Sequence, residues 1–204
     1  MARRRAFYET PEWKIVGRSG LVRFRPHLAQ PREGREITLP LARAAVRGRL
    51  RPVLGRSWGR CVALESLRLP RKQSGKPVGS VDLLLLSKSG DVALGECKRA
   101  GKRRNLRYLR KAMDQLIKYE RALQKSPRGW LEDRMRVSYG PFRFPDLGEL
   151  LRRLGLKSAR AQRRWTGKVE RNCRNGRIGS FVAGPGSRGG IAVWRIDPVR
   201  EIKS

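Results

Sequence analysis

The stretch GSVDLLLLSKSGDVALGECK, residues 79–98, reads as two strands joined by a tight turn. Val81 to Leu86 is apolar on both faces apart from Asp82, the composition of a central strand. Lys88, Ser89 and Gly90 supply the turn, with Gly90 in the left-handed position common in three-residue hairpin loops. Val92 to Lys98 is then the returning strand. This loop pairs Ser87 with Asp91, and counting back five residues on each strand places Asp82 directly opposite Glu96. A loop one residue longer or shorter would set Asp82 against Cys97 and turn it to the other face.

Side chains alternate along a strand, so Val92, Leu94, Glu96 and Lys98 share one face, as do Asp82, Leu84 and Leu86. Two carboxylates in directly opposite positions have β-carbons about 5 Å apart and repel. A hard divalent cation resolves that repulsion, since magnesium is held by one or two carboxylates while water and substrate phosphate complete its shell. Lys98, about 7 Å beyond Glu96 on the same face, could orient the attacking water and stabilise charge developing on a phosphate. Two plainer readings exist: the three charges decorate strand ends, or Glu96 and Lys98 form a structural salt bridge. The salt bridge does not account for Asp82, and against the first reading stands the cost of a carboxylate without a partner among Val and Leu.

After Gly101 the spacing predicts a long helix over 105–124, with Leu109, Met113, Leu116, Glu120 and Leu123 near one stripe and Arg103, Arg107, Arg110, Lys111, Lys118 and Arg121 on the other side. Tyr108, Ala112, Gln115 and Tyr119 recur at three- and four-residue steps beside the core stripe, which brings Gln115 to the edge of the site. Upstream, Cys61 to Leu69 alternates as a strand whose residues Cys61, Ala63, Glu65, Leu67 and Leu69 share a face by parity. Glu65 is then either a third site carboxylate or half of an edge-strand salt bridge.

Further out, Trp13 to Val16 and Leu21 to Phe24, separated by Gly17 and Gly20, suggest a hairpin. Residues 37–54 read as a short helix weakened by Gly48 and Pro52, with Gly55 as its stop. The connection 70–80 is rich in turn formers. Beyond Pro127 the pattern gives a strand at 134–139, a helix at 146–156, a basic linker around 157–177, and a hairpin pairing 178–183 with 191–196. The organisation expected is a basic extension over 1–36, a core over 37–140, and a basic extension over 141–204 packed on that core.

The 204 residues carry 49 Lys plus Arg against 17 Asp plus Glu, a net charge of +32. That excess calls for a polyanionic partner. Arg predominates, and its planar fork suits phosphate, so nucleic acid outranks an acidic protein. Arg99, Lys102, Arg103, Arg104, Arg107 and Lys111, with Arg163 and Arg164 further on, are the candidate nucleic-acid contacts, and Trp165 is either a stacking platform beside them or a partly buried anchor. No basic amphipathic helix stands apart from the core pattern, so a membrane partner is not expected. Met1 to Phe7 is basic but followed by Tyr8, Glu9, Thr10 and Pro11, unlike a signal peptide. Cys61, Cys97 and Cys173 are few and widely spaced, as in a reducing compartment, which points to the cytoplasm. His27 is the sole histidine, which rules out an ordinary zinc site or a Ser-His-Asp triad. The loop GPGSRGG (184–190) lacks the Lys and Ser or Thr of a phosphate-binding loop.

Residues 79–86, 89–99 and 115–119 together (GSVDLLLL, SGDVALGECKR, QLIKY) resemble the PD-(D/E)xK nuclease superfamily. Within it the likeness is to the RecB-type and archaeal mismatch-endonuclease branches, which place Gln-x-x-x-Tyr on the helix after the ExK strand. The resemblance covers residues 61–124. It implies an α/β restriction-endonuclease-like core, with a mixed central sheet flanked by helices, and magnesium- or manganese-dependent hydrolysis of DNA. It implies that Asp82 and Glu96 hold the metal, that Lys98 is the catalytic lysine, and that Gln115 and Tyr119 support the site or touch DNA. Many such proteins add a Glu from the helix before the sheet. That helix has no acid here, so the ligand is missing, replaced by Glu65, or supplied by Glu36. The alternative function is a non-catalytic DNA- or RNA-binding protein on a degenerate nuclease fold.

Overall fold

The structure is a computed structural model that describes residues 13–23, 37–69, 79–98, 106–126, 128–135, 146–185 and 190–198. Its centre is the hairpin of β3 (Ser80–Ser87) and β4 (Val92–Cys97), made of side chains buried on both faces. The turn has the expected form: Ser87 N–H donates to Asp91 O at 3.0 Å, Gly90 N–H to Ser87 O at 3.0 Å, and Gly90 sits at φ +85. The ladder runs from Leu86–Val92 to Leu83–Gly95, so one further step sets Asp82 opposite Glu96. A slip of one residue would have exchanged every buried side chain between two different layers.

Around the hairpin the chain forms a mixed sheet of six strands in the order β1-β6-β5-β4-β3-β2. Here β1 is Trp13–Arg23, β2 Cys61–Arg68, β5 Ile178–Pro185 and β6 Gly190–Pro198. β4 and β5 are parallel and every other neighbouring pair is antiparallel. Both terminal segments therefore enter the central sheet, and the C-terminal one supplies β5 directly beside β4. Residues 13–23 form one strand and not the expected hairpin, and Phe24 lies outside the described residues. Gly17 and Gly20 lie at two register shifts within a single strand against β6, where a local bulge absorbs the irregularity.

One face of the sheet is covered by α1 (Leu39–Val46) and α2 (Arg51–Leu54). Gly48, at φ +71, breaks the helix expected over 37–54 into these two pieces, and a Cβ there would meet Gly59 O at 2.7 Å. Leu41, Ala42, Leu50 and Val53 pack in this layer with Ala63, Leu83, Leu85, Ala93 and Phe181. The other face is covered by α3 (Leu106–Gln124) and α6 (Ala159–Arg174), with α4 (Trp130–Met135) and α5 (Leu147–Arg153) in the same layer. On α3, Met113, Leu116, Glu120 and Leu123 are buried while Arg110, Lys111, Lys118 and Arg121 are exposed, as the stripe predicts. Residues 134 and 135 belong to α4 and not to a strand, and 136–139 fall outside the described residues.

Residues 159–174 form a helix and not a linker. Trp165, Val169 and Cys173 recur every four residues on a helix otherwise crowded with Arg, which gives it a narrow apolar seam. Ser158 caps its start by accepting from Ala161 N–H at 3.2 Å, and Gly176 at φ +63 closes its end. The helix clamps the β3–β4 turn: the Trp165 indole donates to Ser87 O and the Asn172 amide to Gly90 O, both at 2.9 Å. Trp165 is thus an anchor, not a stacking platform.

Parity along β2 also departs from expectation. Cys61 and Ala63 face the α1 layer, but Leu67 and Leu69 join Val62 and Leu64 on the α3 side. Between them Ser66 takes φ +49, and this left-handed residue reverses the alternation. Among the described residues no helix is long and apolar enough to cross a membrane. The three cysteines are buried and form no disulfide.

Candidate active site

At the end of the hairpin away from its turn, the strands carry charge on the face under α3. The ladder stops at Leu83–Gly95, and one step further the Asp82 carboxylate accepts the Cys97 N–H at 2.8 Å. A side chain here takes over a hydrogen bond that a continuing ladder would supply, which fixes the carboxylate beside β4. Glu96 pairs with Val182 of β5 and is almost wholly buried, at 2 % exposure. Lys98 continues the parallel run by donating its N–H to Ala183 O at 2.8 Å, and its Nζ lies 2.5 Å from Glu96 Oε1. Register thus brings Asp82, Glu96 and Lys98 to one place, as the sequence expects.

From α3, Tyr119 reaches the same place. Its ring lies over the start of β3, where a Cβ on Gly79 would meet Tyr119 Cε1 at 3.0 Å and Oη at 3.2 Å. Burial, then the negative charge of Glu96, and more weakly that of Asp82, push the phenol up to about 12, with the Gln115 hydrogen bond opposing them. Tyr119 is therefore a neutral hydrogen-bond donor near neutral pH, within the electrostatic reach of both acids. Gln115 donates from Nε2 to Tyr119 Oη at 3.3 Å, while its Oε1 is buried with no hydrogen-bond partner. Five residues from two strands and one helix converge here.

Glu65 does not join them. It pairs with Leu83, whose side chain lies in the α1 layer, and the positive charge of Arg43 on α1 acts on it there. Burial raises its carboxyl above the usual range, with Arg43 partly opposing. Oε1 of Glu65 is buried without a partner. The native state therefore keeps this proton to higher pH than the unfolded chain, so the associated stability is complete below the ordinary carboxylate range and is lost as pH rises through the raised value. Glu65→Gln removes that titration. In urea unfolding the variant should gain on wild type as pH goes from about 4 to about 7, and a difference that stays constant across that range would contradict the assignment.

Asp82 and Glu96 are the two acids that the β3–β4 register sets side by side on this face. No group of three or more His, Cys, Asp or Glu side chains is gathered among the described residues. Of the candidate nucleic-acid contacts, Lys111, Arg163 and Arg164 are exposed. Arg99, Lys102, Arg103, Arg104 and Glu36 lie outside the described residues, as does the side chain of Arg107. No residue type signals that the Cys97 N–H holds Asp82, because a backbone donor leaves no mark in residue identity. Comparison with protein-family models, with curated proteins and with solved structures finds no match to this chain.

Proposed function

We propose that the chain is a metal-dependent nuclease that hydrolyses phosphodiester bonds in DNA, with Asp82 and Glu96 as metal ligands and Lys98 as the catalytic cation. The observation that carries this reading is the register setting Asp82 opposite Glu96 with the Lys98 ammonium on the Glu96 carboxylate. Two carboxylates, with no larger acid group gathered among the described residues, suit magnesium or manganese, which keep several positions for water and substrate phosphate. Such an ion would supply Lewis-acid polarisation of the scissile phosphodiester. Asp82 is held for this role by the Cys97 N–H, and Tyr119 by Gln115. Lys98 would place positive charge against the phosphate oxygens. A helix before β2, an antiparallel β2-β3-β4 meander and a following helix with Gln115 and Tyr119 support a PD-(D/E)xK, restriction-endonuclease-like assignment.

One observation favours a second reading, that of a DNA- or RNA-binding protein on a degenerate nuclease fold. Glu65 faces the α1 layer and α1 itself contains no acid, so among the described residues no third carboxylate joins the pair. Purified chain incubated with linear, nicked, branched and single-stranded DNA decides between them. Cleavage should require magnesium or manganese, stop in EDTA, and fall about 100-fold in Lys98→Ala. Salt-sensitive binding without cleavage would establish the second reading. Equal cleavage by wild type and Lys98→Ala would trace the activity elsewhere.

A further inference from the structure

Across α6 every exposed side chain except Ala159 is a cation: Arg160, Arg163, Arg164, Lys168, Arg171 and Arg174. At 3.6 residues per turn they project within an arc of about 140°, opposite the buried Trp165, Val169, Asn172 and Cys173, and span about 21 Å of helix axis. The single acid of the helix, Glu170, is half-buried and turned toward α4, where it accepts the Gly129 N–H at 2.6 Å. Lys168 lies 3.9 Å from Asp91 at the hairpin turn. Arg160 and Arg164, or Arg164 and Lys168, are like-charged neighbours four residues apart, an arrangement that destabilises a helix. An ordinary solvated helix face interleaves acids at these positions, and this one has none.

We infer that the outer face of α6 is a docking track for the sugar-phosphate backbone of duplex DNA. A straight, rigid row of charge matches a rigid polyanion. A single strand would be bound through stacking on exposed aromatic side chains, whereas the one aromatic residue of α6 is buried with its indole committed to Ser87 O. The track lies in the same layer as α3 and is fastened to the same hairpin as the acids, by way of the turn. Five residues of strand, about 17 Å, separate that turn from Asp82 and Glu96. A duplex held on α6 is thereby fixed relative to the site. The inference rests on the proposal that the substrate is DNA, but the track binds without cutting.

The test compares Arg163→Gln/Arg164→Gln/Arg171→Gln with Arg47→Gln/Arg49→Gln/Arg51→Gln, which removes as many exposed cations from the α1 face. Binding of a fluorescent DNA duplex is measured by anisotropy across a salt series. Each lost phosphate contact lowers the slope of log affinity against log salt by about 0.9, so the α6 variant should lose roughly 2 to 3 and the control less than about 1. The free α6 variant should melt no lower than wild type, since like charges have been separated. Equal slope losses in the two variants, or an unchanged slope in the α6 variant, would overturn the track. So would tighter binding of a matched RNA duplex, or displacement of DNA by polyglutamate at equal charge. Cleavage by wild type that Asp82→Asn abolishes would meanwhile stand on its own, and its absence would defeat the catalytic reading while leaving the slopes meaningful.

Discussion

Asp82→Asn is expected to leave the protein folded and to lower divalent-dependent cleavage of DNA on the order of 1000-fold, which corresponds to about 4 kcal/mol of transition-state stabilisation. The two halves of that expectation come from different atoms. The fold uses Asp82 as an acceptor, since Oδ2 takes the Cys97 N–H at 2.8 Å. An asparagine keeps a carbonyl oxygen of the same reach, so melting should shift little. The proposed chemistry uses Asp82 as a charge, because a hard cation opposite Glu96 needs negative oxygen donors, and the amide has none to give. Asp82→Ala separates the effects further. It removes the acceptor of the Cys97 N–H as well, at about 1–3 kcal/mol, and so should lose stability along with activity. Measurement is by single-turnover cleavage over a magnesium series, with urea unfolding of both variants. Full activity in Asp82→Asn would sink the metal-ligand role. Loss of activity accompanied by unfolding in Asp82→Asn would show that the residue serves the fold alone.

How far the sequence could be read depended on whether a feature is local. The β3–β4 hairpin was legible because its register follows from three turn residues and an apolar run, and the α3 stripe because its period is long and regular. Both are settled by residues close in the chain. The β5–β6 hairpin was found for the same reason. The α6 helix was missed because its apolar seam is a few residues wide and its composition is that of a solvated linker; burial of Trp165 depends on a turn some eighty positions earlier. The common face expected from Cys61 to Leu69 holds through Glu65 and fails at Leu67 and Leu69. A single residue, Ser66, adopts a left-handed conformation that serine rarely takes, and nothing in the sequence marks it. At the site, Asp82, Glu96, Lys98, Gln115 and Tyr119 were all legible as positions. What holds Asp82 is a backbone group, and what seats β4 against β5 is a pairing of residues distant in sequence.

That last pairing gives the largest expected effect on stability. Gly95 lies next to Glu96 in β4 and pairs with Phe181 of β5. A Cβ at position 95 would lie 2.2 Å from Phe181 Cζ and 2.5 Å from Cε2, closer than real contacts allow. The ring is fully buried and shares its layer with Leu41, Ala63, Leu83 and Leu85, so it has no free volume to enter. Gly95→Ala should therefore cost about 3 kcal/mol or more through overpacking, a large part of the roughly 5–15 kcal/mol that holds a domain together. Phe181→Leu alone opens a cavity and is itself destabilising. In the double variant the new methyl group fills space that the ring has left, and the two costs should fall short of their sum by about 1–3 kcal/mol. Strictly additive costs in urea unfolding would show that the ring is not the obstacle. The same cycle bears on the site, because Phe181 packs in the α1 layer while Glu96 faces α3. Gly95→Ala should lower cleavage by displacing β4, and the double variant should recover cleavage in step with stability. Recovery of stability without cleavage would mean that the placement of Glu96 depends on more than the seating of its strand.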